Sequence, residues 1–147
     1  GEKAVSSSLG HALMETNPFA ATRFRQAEEN LQMLKPVLLN GDWGGFIDIM
    51  ENEALTLHAM MMTSHPGYLL MEPHTVEAIH RVRNYRRETG ANIGFTLDAG
   101  ANVHLLFPEA EAKTINAFIL EQLKPLCENQ TIIEDAMGPG PERISQP

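Results

Sequence analysis

The chain has little cysteine, few aromatic residues, no long apolar run and a deficit of positive charge. A single cysteine, Cys127, excludes an internal disulfide framework and suits a reducing, cytoplasmic setting. No apolar stretch reaches the roughly 20 residues that span a bilayer. Gly1-Glu2-Lys3 leads into small polar residues, where a signal peptide would turn apolar. With 19 acidic against 11 basic side chains, the formal charge is -8, a field that repels nucleic acid and anionic membranes. No glycine-lysine-serine or glycine-lysine-threonine element is present, so a Walker-type phosphate loop is excluded. None of the six histidines has another at the helical i, i+4 spacing, and there is no second cysteine, so no metal site is expected. The initiator methionine is also missing, and a leading Gly1 is what a cleaved tag leaves, so a piece of a longer protein is expected.

What remains is ordinary globular material: 43% hydrophobic and 20% charged over 147 residues, enough for one domain with a core. Residues 4–16, rich in serine and small apolar side chains, read as strand or loop. Asn17-Pro18 reads as a helix start. Beyond it Phe24, Ala27, Leu31, Leu34 and Leu38 make one apolar stripe, with a kink expected at Pro36 and a stop at Asn40-Gly41. Asp42 is placed to cap a second helix with the stripe Phe46, Met50, Ala54, Leu57 and Met61. So short a connection predicts an antiparallel helical hairpin. A third helix is expected from Pro73 to just before Gly90, turning Val76, Ile79 and Val82 inward.

The period then changes to two. Ile93, Phe95 and Leu97 alternate with small residues, the segment Asp98-Ala99-Gly100-Ala101-Asn102 reads as a turn, and Val103, Leu105 and Phe107 continue as a second strand. Residues 109–126 return to helical spacing, with Ala112, Ile115, Ile119 and Leu123 inside. Thr131 to Ala136 is predicted as a last strand, and Gly138-Pro139-Gly140-Pro141 opens a tail. The domain is therefore expected over residues 1–137, with a flexible tail over 138–147. The fold class predicted is α+β, a small antiparallel sheet with helices packed on it.

Asp98 is the most informative residue. It ends a strand and is followed by two small residues that let a ligand approach the backbone. A carboxylate there can act as a base or orient a hydroxyl. On local pattern alone the plainer reading takes precedence, an Asp bonded to its own turn. Ser6, Ser7 and Ser8 precede Gly10, and hydroxyls beside a glycine can hold phosphate oxygens, although a serine run is commonly a solvated segment. Arg81, Arg83, Arg86 and Arg87 gather on the third helix without interleaved aromatics, as a solvated face or a contact for an acidic partner domain. The run Met60-Met61-Met62 reads as core filling, and Cys127 as a structural thiol.

Three segments in order carry a resemblance. VSSSLGHALMETNPF, NEALTLHAMMMTSHPGYLLM and GFTLDAGANVHLLFP resemble the serine-glycine segment, the helix ending in a histidine-alanine pair and the Asp-Ala-Gly strand-turn-strand of the diphosphomevalonate decarboxylases, over about Val5 to Leu126. These belong to the GHMP kinase superfamily. The resemblance implies its C-terminal domain, a ferredoxin-like antiparallel sheet with packed helices, lacking the N-terminal ATP-binding domain. It implies conversion of mevalonate 5-diphosphate to isopentenyl diphosphate, phosphate and carbon dioxide in isoprenoid biosynthesis. Asp98 would then orient or deprotonate the tertiary hydroxyl, while Ser7, Ser8, Ala99 and Gly100 would face the substrate diphosphate. ATP and Mg²⁺ would be held by the N-terminal domain of a cytoplasmic, homodimeric parent, with no cofactor on this piece, which would be inactive alone. Two positions depart from the family pattern: Ala101 replaces the usual proline, and His11 stands where methionine is common. A superfamily kinase acting on a mevalonate derivative, a decarboxylase of the monophosphate, and a non-catalytic binding domain are the alternatives.

Overall fold

The computed structural model describes residues 13–138 and 140. Two long helices come first, α1 (Ala20–Asn40) and α2 (Trp43–Met62). Gly41 takes the left-handed conformation at φ 65°, which lets its N–H and that of Asp42 bond back to Leu38 and Val37. Asp42 then caps α2, its carboxylate accepting from the Gly45 N–H at 3.0 Å. Cap against cap, the two helices form the expected hairpin. Asn17 works earlier than a cap should: its Oδ1 accepts from the Phe19 N–H, and its amide donates to the Met60 carbonyl near the end of α2. Helix α1 runs through Pro36 without ending. Of the segment read as strand or loop, the described part, Leu13 to Glu15, is helical.

Of the stripe expected on α1, Ala27 and Leu34 are half-buried and the other three stay exposed. Phe24, Leu31 and Leu38 are 51%, 57% and 58% exposed. Instead Arg23 forks onto Glu53, Asn30 donates to the same carboxylate at 2.7 Å, and Gln26 donates to Asn52. These polar residues recur at helical steps as well, so periodicity alone did not distinguish the two faces. On α2 the buried line is Ile47, Glu51, Ala54, His58 and Met61, which keeps Ala54 and Met61 of the expected stripe and leaves Phe46, Met50 and Leu57 half-buried.

Helix α3 (Pro73–Thr89) begins with Pro73 in its first turn and ends at Gly90, again left-handed. Ile79 and Val82 are buried as expected, but Val76 is 40% exposed and Thr75 takes the inward place beside Ala78. The arginines of this helix divide: Arg83 and Arg86 reach across to α2, while Arg87 is exposed and donates to Asn84 on its own helix. Arg83 and Arg86 both bond the buried Glu51 of α2, Arg86 also donates to the Ile93 carbonyl, and Arg81 pairs with Glu77 and reaches the Gln122 carbonyl.

Strands β1 (Gly94–Leu97) and β2 (Val103–Leu106) pair antiparallel, with Leu97 opposite Val103 and Gly94 opposite Leu106. The core lies between this hairpin and the helices, centred on Val82, Ile93, Phe95 and Ile115, none of which reaches solvent. The final helical segment, expected whole over 109–126, is divided. Helix α4 (Ala112–Phe118) passes into a π turn over Ile119–Leu123 and a 3₁₀ turn over Lys124–Leu126. Ile115, Ile119 and Leu123 are all buried at steps of four. A four-residue step overshoots one α-helical turn, and the wider π turn keeps the three on one side. Tyr85 of α3 stacks on Phe118, with ring centroids 4.1 Å apart. The last strand predicted, Thr131 to Ala136, is irregular backbone. Ile132 packs on the core and Ile133 is 89% exposed, and among the described residues no strand pairs with the segment. The class is α+β; among the described residues the sheet is this hairpin.

Candidate active site

The site is built where the β1–β2 hairpin turns. Alternation along β1 buries Phe95 and Leu97, and the chain leaves the sheet at Asp98, half-buried at the mouth of the turn. The two Asp98 carboxylate oxygens differ. Oδ2 faces the Asn102 side-chain amide at 3.4 Å, across the turn. Oδ1 is shielded from solvent and has no hydrogen-bond partner. A buried acceptor left unpaired is costly, and such atoms are uncommon in folded proteins. Gly100 leaves room for it, since a Cβ there would stand 3.1 Å from Oδ1.

Helices α2 and α3 hold this turn at both ends. His58, 2% exposed on the buried line of α2, lies with Nε2 3.0 Å from the Asp98 carbonyl oxygen. A carbonyl only accepts, so Nε2 carries the proton and donates. Thr75, 3% exposed in the first turn of α3, donates from Oγ1 to the Ala101 carbonyl at 2.8 Å and accepts from the Glu72 N–H. Ala99 packs against a small apolar cluster of Met61 and Leu70 with Met14 and Tyr68. Met14 brings the segment following the serine run to the flank of the turn.

Of the five residues singled out from the sequence, Asp98, Ala99 and Gly100 therefore sit together in one turn. Ser7 and Ser8 lie outside the described residues, seven and six positions before Met14. His58 and Thr75 were missed as site residues. His58 carried a signal, being the histidine of the His-Ala pair; Thr75 carried none, since an inward-facing threonine in a first helical turn is common. Among the described residues one surface groove lies between α3 and α4 beside Tyr85 and Phe118 and another between α1 and α2 beside Phe19 and Met60; Asp98 lines neither of these. Among the described residues no three of the His, Cys, Asp and Glu side chains gather to hold a metal ion, and no helix is long and apolar enough to cross a membrane.

The fold is an α+β domain of the GHMP kinase C-terminal type, the type of the solved structures it matches. More narrowly, the chain belongs to the family of mevalonate 5-diphosphate decarboxylase C-terminal domains, whose model matches residues 1–144. A phosphomevalonate decarboxylase of Haloferax volcanii is 22% identical over 129 residues, which is 88% of this chain and 38% of that protein. The crystal structure of a mevalonate diphosphate decarboxylase from Legionella pneumophila is 30% identical, with a TM-score of 0.77 over 84% of this chain and 39% of its own. A structure described as MDDEF in complex with MVAPP, AMPPCP and magnesium is 28% identical, with a TM-score of 0.77 over 83% of this chain and 37% of its own. The chain spans about two fifths of the length of the relatives it matches.

Proposed function

We propose that this domain supplies the hydroxyl-facing carboxylate of an ATP-dependent decarboxylase that converts mevalonate 5-diphosphate to isopentenyl diphosphate, phosphate and carbon dioxide. The observation that carries the reading is the unpaired Oδ1 of Asp98. A tertiary alcohol is a weak nucleophile, and a fixed carboxylate acceptor aligns its O–H and takes up its proton as the oxygen attacks phosphorus. ATP supplies the phosphoryl group that makes this oxygen a leaving group. Loss of phosphate then draws electrons from the breaking carboxylate bond, so carbon dioxide departs as the double bond forms.

In this reading Ala99 and Gly100 let the substrate diphosphate approach the backbone of the turn, and Ser7 and Ser8 bind it from the preceding segment. ATP and Mg²⁺ would be held by an N-terminal domain of the parent. The domain in this reading is residues 1–137; the tail expected over 138–147 lies, but for Gly138 and Gly140, outside the described residues. Cytoplasmic residence and a homodimeric parent follow from the family resemblance. The monophosphate as substrate is a second reading, favoured by the likeness to the Haloferax volcanii phosphomevalonate decarboxylase.

The test is ATP-dependent release of phosphate and carbon dioxide by the parent protein and its Asp98→Asn variant, offered the diphosphate and the monophosphate separately. Loss of a general base lowers turnover by about 10²–10⁴-fold, and the variant should lose that much while staying folded. Phosphorylation without carbon dioxide release would make the parent a kinase, and undiminished turnover by Asp98→Asn would remove Asp98 from the chemistry.

A further inference from the structure

We infer that His58 is a positioning residue for Asp98, acting through the backbone and never touching substrate; the inference rests on the reading of Asp98 given above. Among the described residues the carboxylate of Asp98 has one side-chain hydrogen bond, with Asn102 at 3.4 Å, a weak restraint. Its main chain is held far more firmly. His58 Nε2–H donates to the Asp98 carbonyl at 3.0 Å, and Thr75 Oγ1–H donates to the Ala101 carbonyl at 2.8 Å. The two donors come from different helices and grip carbonyls three residues apart, so the turn is anchored at both ends.

The burial of His58 points the same way. A polar ring at 2% exposure, on a helix line shared with Ile47, Glu51, Ala54 and Met61, is costly unless its hydrogen bonding is used. An apolar residue of similar size would fill the space. The Nε2 donor reaches across 40 residues of sequence to the carbonyl of the one turn residue whose own carboxylate oxygen is unpaired. Because the donor ends on Asp98 itself, shifting the ring shifts the carboxylate, and small displacements of a reacting group cost much of its effect.

The experiment uses the parent enzyme with His58→Met, which removes the donor with an adaptable apolar side chain, and His58→Gln, whose amide N–H can reach the place of Nε2–H. His58→Met should lower kcat by about 10- to 100-fold, as a misplacement near 1 Å does, with KM for the mevalonate substrate within twofold. His58→Gln should recover most of that loss. In an Asp98→Asn background, His58→Met should cost little more, because the two act as one unit. The ¹⁵N shifts of the native His58 ring should show the Nε2–H tautomer. Unchanged kcat in His58→Met, a loss confined to KM, full additivity with Asp98→Asn, or an Nδ1–H tautomer would each overturn the proposal. Where His58→Met does not fold, the tautomer and the Gln variant decide, a Gln variant as slow as Asp98→Asn counting against it. Failure of Asp98→Asn to slow the enzyme defeats the functional reading instead, whatever His58 does.

Discussion

The space beside Asp98 Oδ1 is set by what Gly100 lacks. A Cβ on Gly100 would stand 3.1 Å from that oxygen, with no other atom within 4 Å. The neighbour that must move is therefore the carboxylate, and it has little else to hold it. Gly100→Ala in the parent enzyme should lower turnover about 10-fold or more, while the melting temperature stays close to that of the native protein. Steady-state kinetics and a thermal melt on the same preparation check this. A stability loss with turnover preserved would show that the turn yields in its backbone and that Oδ1 keeps its place. At this scale the sequence was informative about the acid and its small neighbours, because Asp-Ala-Gly after a strand is a local pattern. It was silent on Thr75, whose partner Ala101 lies 26 positions away.

At the scale of the element, α1 is the instructive case. Its apolar stripe is legible in the sequence, yet the helix meets α2 through Arg23, Gln26 and Asn30. Phe24→Ala, Leu31→Ala and Leu38→Ala should each change the stability of this chain by less than about 1 kcal/mol. Ile47→Ala on α2, at 3% exposure, should cost about 2–5 kcal/mol. Urea unfolding of the four variants measures both. Comparable losses from Phe24→Ala and Ile47→Ala would mean that α1 packs by its apolar face after all. Boundaries, by contrast, were readable because they are local. Gly41 and Gly90 provide left-handed exits, Asp42 a capping oxygen and Pro73 a first turn. The π turn at Ile119–Leu123 was not, since it answers to the surface those side chains meet.

For the molecule as a whole, Glu51 joins three parts of the fold. Its carboxylate is 6% exposed and bonds Arg83 and Arg86 of α3, while Arg86 also holds the Ile93 carbonyl at the entry to β1. Arg83 further lies over the Phe95 ring, 5.3 Å from its centroid. Removing one member of a buried ion pair strands its partners. Arg83 and Arg86 keep 43% and 26% of their side-chain surface, so water offsets part of that loss, and about 2–3 kcal/mol is expected for Glu51→Gln. Denaturant unfolding at low and high salt checks it. A loss below 0.5 kcal/mol would class the cluster with ordinary surface ion pairs.

The sequence by itself determined the α+β class, the run of three helices before a hairpin and a last helical segment, the Asp42 cap, the glycine exits and the antiparallel hairpin with Asp98 at its end. Each of these rests on contacts within a few residues, where hydrophobic period, turn chemistry and capping act directly. Only the tertiary structure decided which face of α1 packs, that Arg83 and Arg86 of α3 reach Glu51, and that the backbone of the Asp98 turn is held by His58 and Thr75. Those contacts join residues 22 to 40 positions apart. No local rule ranks one polar residue above another for such a place; the choice falls to the packing that brings donor and acceptor together and excludes water from both.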